Sequence, residues 1–121
     1  RAPEGVLPRA SGGGMISDEQ VQAALDYLRD EAEADAQARA NAVYLEQWVR
    51  TERARIVHAQ TGMSNASATA YAEQHPEYLR ALNAYKAAVA EDYRRRFLRE
   101  AASARIEAWR TMCSNERAQR I

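Results

Sequence analysis

From Ser17 onward, apolar and polar positions recur with the spacing of amphipathic helices. Ser17-Asp18-Glu19-Gln20 has the form of a capping box, with Ser17 as N-cap and Gln20 three residues on. Ile16 before the cap and Val21 after it can close a hydrophobic staple, and Asp18 and Glu19 place negative charge where the helix dipole favours it. Val21, Leu25, Leu28 and Ala32 then return at three- and four-residue steps, which predicts a helix beginning at residue 18.

Between Glu31 and Ala42 the apolar positions are alanines in strict alternation (EAEADAQARANA). Alternation alone suggests a strand, but Ala, Glu, Gln and Arg are helix formers and none is β-branched, so a slim alanine-rich helix is expected. DEAEAD resembles an acidic helicase box only superficially, because no phosphate-binding glycine-rich loop accompanies it. Leu45, Trp48, Val49 and Ile56 form a second series. On a wheel of about 100° per residue it is rotated by roughly a quarter turn or more from the Val21–Leu28 stripe. Either one long helix runs from 18 to about 60, or it bends in the alanine segment. Thr61-Gly62 supplies a stop.

Residues 63–75 start with cap residues, Ser64 or Asn65, and read as a weak helix over Ala66–Glu73. Pro76 suits the first position of the next helix, where its missing N–H costs nothing. That helix is expected to reach about residue 116. Its predicted core stripe is Tyr78, Leu79, Leu82, Tyr85, Val89, Tyr93, Phe97, Ala101, Ala104 and Ala108. The expected fold is all-α: a long antiparallel helical hairpin with a short connecting helix, residues 15–121 as a single domain. One apolar stripe per arm makes a thin core, so completion by homo-oligomerisation is expected.

Composition agrees with helices, since the 121 residues include 26 Ala against five Gly and three Pro. A single Cys excludes an internal disulfide and a cysteine zinc cluster. No apolar run approaches 18 residues, so no membrane span is expected. Residues 1–14 (RAPEGVLPRASGGG) carry two Pro, four of the five Gly and no periodicity. They read as a disordered fusion linker or cloning remnant ahead of a native start at Met15, with a natural disordered arm as the alternative.

The residue types argue against an enzyme. His58 and His75 are 17 residues apart and belong to no ExxH, HxxxH or HExxH arrangement. His75 before Pro76 reads as a boundary residue, and Cys113 has neither a second thiol nor a nearby His. Carboxylates are plentiful but scattered. No catalytic residue, metal site, cofactor or small-molecule substrate is expected.

Charge is distributed unevenly within a net of zero. Residues 17–60 hold nine acids and five bases, residues 75–121 six acids and ten bases. Antiparallel packing of the two arms would neutralise this asymmetry; a basic arm free to meet an acidic partner is the other account. Near the end of the last helix a second apolar group appears: Leu98, Ala102, Ile106, Trp109 and Cys113. Interleaved with it are Arg95, Arg99, Arg110 and Arg117. Trp and Arg are enriched at binding hot spots, and Arg also pairs with phosphates. Arg95, Arg99, Ile106, Trp109, Arg110 and Arg117 are therefore the candidate partner- or nucleic-acid-binding residues. The same patch could instead be covered by residues 63–75 folding back or by a symmetry mate.

The run NAYKAAVAEDYRRRFLREAASARIEAWRTMCSNERA, from Asn83 to Ala118, resembles in texture the small all-helical accessory proteins of tailed bacteriophages and prophages. The likeness covers about a third of the chain and carries no catalytic motif. It implies a phage origin, action in the cytoplasm of a bacterial host and a role exercised through binding. The expected function is thus a non-enzymatic interaction protein whose Arg/Trp surface meets a phage or host protein of DNA metabolism. A nucleic-acid-binding accessory protein, or a structural scaffold component, is the alternative.

Overall fold

A computed structural model describes residues 15–120; the linker expectation for residues 1–14 lies outside the described residues. The described chain is all-helical, with α1 over Asp18–Asp30, α2 over Ala32–Ala59, α3 over Asn65–Glu73 and α4 over Pro76–Gln119. No helix among the described residues is long and apolar enough to cross a membrane.

The helix starts follow from local chemistry. Ser17 Oγ accepts from the Gln20 N–H while the Gln20 side chain accepts from the Ser17 N–H, at 3.2 and 2.9 Å, which completes the capping box. Ser64 caps α3 through the Ser67 N–H. α4 begins at Pro76, and His75 Nδ1 accepts from the Glu77 N–H at 3.2 Å, so the imidazole does the work of an N-cap. α2 stops at Ala59, and Gly62 takes a positive φ of 80° in the turn that follows. The alanine segment is helical from Ala32 onward; its first residue, Glu31, is the break between α1 and α2.

Burial follows a stricter rhythm than the 3.6-residue wheel. Positions 21, 24, 28, 31, 35, 38, 42, 45, 49, 52 and 56 are buried or half-buried, as are positions 78, 81, 85, 88, 92, 95, 99, 102, 106, 109 and 113. Both series alternate steps of three and four, the 3.5-residue period of a coiled-coil seam. The wheel slips by about 20° per heptad against that period, so the four heptads from Val21 to Val49 accumulate roughly 80°. The rotation between the two predicted stripes is of the order of this slip.

The seam also corrects the predicted stripe of α4. Tyr78, Tyr85 and Val89 are half-buried, but Leu79, Leu82, Tyr93, Phe97, Ala101, Ala104 and Ala108 are exposed. Ala81, Ala88 and Ala102 take the inner places instead. Small side chains at the seam allow helix backbones to approach closely, and the larger residues are left on the outer faces.

Two compact units make up the described chain, residues 15–35 with 94–120, and Ala36–Tyr93. In the first, Ala24, Tyr27 and Ala102 form a buried cluster joined by Leu28, Leu98 and Ile106. Asp18 meets Trp109 and Glu31 meets Arg95, so α1 runs antiparallel to the C-terminal part of α4. In the second, Arg39 meets Asp92, the Tyr85 hydroxyl donates to Glu46, and Arg55 reaches Glu77. These contacts set that part of α2 antiparallel to the first turns of α4. Ala42, Ile56, Ala68, Ala72, Ala81 and Ala88 are its buried apolar residues.

Candidate interaction surface

The six candidate residues divide by what already holds them. Arg95, only 17% exposed at its side chain, lies 3.3 Å from Glu31 and 3.4 Å from Asp35. Arg99 meets the other oxygen of Asp35 at 3.4 Å. Asp35 is buried, so its carboxylate exchanges water for two guanidinium groups. Beside it, burial first, then the charges of Asp35 and Glu31, push the Tyr27 phenol above its ordinary range. These two arginines hold α4 against the acidic start of α2 and the last turn before it.

Ile106 packs on the Ala24–Tyr27–Ala102 cluster, and the Trp109 indole N–H donates to Asp18 Oδ1 at 3.0 Å. Leu98, Ala102 and Ile106 therefore pack against Ala24, Tyr27 and Leu28 of α1. Ile106 and Trp109 remain half-buried. Arg110 pairs along its own helix with Glu107 at 2.9 Å, an exposed i,i+3 contact of small energetic weight. Arg117 lines a shallow groove with Trp109, Arg110, Cys113 and Glu116 of α4 and with Arg120 just beyond its end. Of the predicted surface, this C-terminal end is the part whose cations are not engaged with α1 or α2.

A second surface was not foreseen as one. Leu79, Leu82, Tyr93 and Phe97 are 42, 39, 50 and 61% exposed on the outer side of α4. With Lys86, Val89 and Ala90 they fall within about 100° of the helix circumference, beside the seam. Their spacing was legible; their side was not, because large apolar residues at helical spacing read as core until the 3.5-residue seam of alanines assigns them to the outside. Single exposed apolar residues are ordinary, whereas Leu79, Leu82 and Tyr93 share one side of α4 within the unit Ala36–Tyr93.

The remaining polar contacts serve structure. Glu52 is buried and held by Arg55, whose hydrogen bond keeps its carboxyl below the usual carboxylate range. Arg53 meets Glu73 at 3.4 Å, and Tyr71 and His75 stand edge to face with centroids 5.9 Å apart. No three His, Cys, Asp or Glu side chains among the described residues gather as a metal site. Every buried side-chain nitrogen or oxygen among them has a hydrogen-bond partner.

Comparison with known protein families, with curated proteins and with solved structures finds no match to this chain.

Proposed function

We propose that the protein is a non-enzymatic helical interaction protein that docks another protein chain along the outer face of α4 between Leu79 and Tyr93, within the unit Ala36–Tyr93. One observation carries this reading: Leu79, Leu82 and Tyr93 are exposed on that face while Ala81 and Ala88 take the inner positions of the same stretch. The ionisable groups support it, since Asp35, Arg55, Arg95 and Arg99 are engaged in ion pairs that fasten helix to helix. The long hairpin expected from the sequence belongs to the same proposal, supported by the unbroken seam repeat of α4 from position 78 to 113. The resemblance to small phage proteins adds a setting, the cytoplasm of a bacterial host and a partner in DNA metabolism.

A second reading rests on the groove of Trp109, Cys113, Arg110, Arg117 and Arg120, whose aromatic and guanidinium groups suit a single-stranded nucleic acid. The two are separated by paired variants that keep helix content by circular dichroism. Leu79→Glu with Leu82→Glu is expected to abolish protein association, measured by light scattering and by quantitative co-purification. Arg110→Glu with Arg117→Glu is expected to leave it intact. Loss of association only in the arginine pair, with oligonucleotide binding that weakens steeply with salt, would overturn the first reading in favour of the second.

A further inference from the structure

We infer that His75 is a pH-operated cap: its neutral ring holds the first turn of α4, and its protonated ring releases the Glu77 N–H and turns to Glu52. The device lies wholly within the unit Ala36–Tyr93 and does not depend on what docks against α4.

The cap works in one protonation state only. The His75 carbonyl accepts the Leu79 N–H at 3.0 Å, and its Nδ1 accepts the Glu77 N–H at 3.2 Å. His75 is thus the N-cap residue, with Pro76 and Glu77 in the first two helical places. The neighbouring helix is capped differently: Ser64 Oγ accepts the Ser67 N–H at 3.2 Å, and a hydroxyl keeps its lone pairs at any mild pH. An imidazole nitrogen does not, because histidine takes up a proton between about pH 5 and 8. Once Nδ1 carries a proton, two donors face each other and the bond cannot form. The positive end of the helix dipole then opposes the imidazolium as well.

The charged ring has a partner within the same corner. From α2 come Glu52, Arg53 and Arg55, from α3 Tyr71 and Glu73, and from α4 Glu77 and Arg80. Arg53 is taken by Glu73, and Arg55 is shared between Glu52 and Glu77. Glu52 is the buried one of the three carboxylates. Its carboxyl is lowered first by the Arg55 hydrogen bond, against burial, and further by the charges of Arg55 and His75. Glu52 is therefore ionised where an imidazole takes its proton, and close enough to feel it. Until then the half-buried ring is held in the capping pose by Tyr71, against which it stands edge to face.

The test is nuclear magnetic resonance on the full chain. At about pH 8, long-range nitrogen–proton spectra are expected to show His75 with its proton on Nε2 and Nδ1 bare. Between about pH 8 and pH 5, protection of the Glu77 amide against hydrogen exchange, corrected for the intrinsic rate, is expected to fall about fivefold, the worth of one cap. The Ser67 amide is expected to stay constant. His75→Asn, whose side-chain oxygen caps without titrating, is expected to keep Glu77 protected throughout. His58→Gln is expected to leave the fall unchanged, since His58 is exposed near the end of α2. Glu52→Gln is expected to move the fall to lower pH, because the charged ring loses its anionic partner. Nδ1 protonated at pH 8, a fall that persists in His75→Asn, or one that Glu52→Gln leaves at the same pH would each overturn the inference.

Discussion

The two compact units solve the same problem, a buried carboxylate in an alanine seam, in different ways. In the unit of residues 15–35 and 94–120, Asp35 receives Arg95 and Arg99 from a helix about 60 residues away in sequence. In the unit Ala36–Tyr93, Glu52 receives Arg55 from one turn along its own helix, and Arg55 then reaches across to Glu77. The first arrangement is tertiary and registers one helix against another; the second is largely built before the helices meet. Polar groups at seam positions are best known for fixing register at some cost in stability. Asp35 is accordingly the register lock of its unit, whereas the second unit depends on its packed apolar residues.

Ile56→Ala tests this contrast with the largest expected effect. Ile56 is 3% exposed and the bulkiest of the second unit's buried residues, so truncation should cost about 3 kcal/mol, read as a lower urea midpoint with unchanged slope. A loss under about 1 kcal/mol would mean that the site collapses around the cavity and that packing is not what holds this unit.

Asp35→Ala comes next. It removes one of the partners of the largely buried Arg95, which keeps Glu31, and Arg99 is more than a third exposed and recovers water, so the expected cost is about 2 kcal/mol rather than the full penalty of a broken buried pair. Glu52→Gln should cost less at neutral pH, because Arg55 keeps Glu77 and most of its solvent. The carboxyl of Glu52 is lowered in the folded chain, so its contribution is present above the ordinary carboxylate value. It fades as the pH falls through the folded value, and the variant should converge on wild type in acid. An Asp35→Ala chain as stable as Glu52→Gln would remove the distinction between a tertiary and a local lock.

Ser17→Ala should cost about 1 kcal/mol, since both halves of the capping box open at once. That feature was readable from four residues, as were the Ser64 cap, the Pro76 start and the boundary role of His75. Local hydrogen-bond geometry is encoded locally. The side of α4 that faces inward was not readable in the same way, because it depends on a 0.1-residue difference between two periods accumulated over several turns. At any one turn Leu79 and Leu82 outweigh Ala81 as core candidates. Only the full series, alanine after alanine at seven-residue intervals from 81 to 88 and again at 102, shows that closeness of approach rather than side-chain size decides the core. The misplaced stripe has this cause, and the group of Leu98, Ala102 and Ile106 was left over once the other face had been given to the core.

The smallest effect separates the units by the cause of a titration. Tyr27 and Tyr85 both ionise above the ordinary phenol value of about 10. For Tyr27, burial comes first; for Tyr85, the hydrogen bond it donates to Glu46 at 3.1 Å comes first. Each folded value lies above the unfolded one, so each phenol's contribution is complete below about pH 10 and is lost as the pH rises through the folded value. Ultraviolet titration of the six tyrosines should therefore show a late fraction that shrinks in Tyr27→Phe and in Tyr85→Phe. Glu46→Gln should return Tyr85 toward the ordinary range and leave Tyr27 late, since a neutral amide still accepts the bond but no longer opposes the phenolate charge. If Glu46→Gln moved both phenols together, the two units would be coupled through their charges, and the contrast drawn between a buried tertiary cluster and a locally assembled one would have to be abandoned.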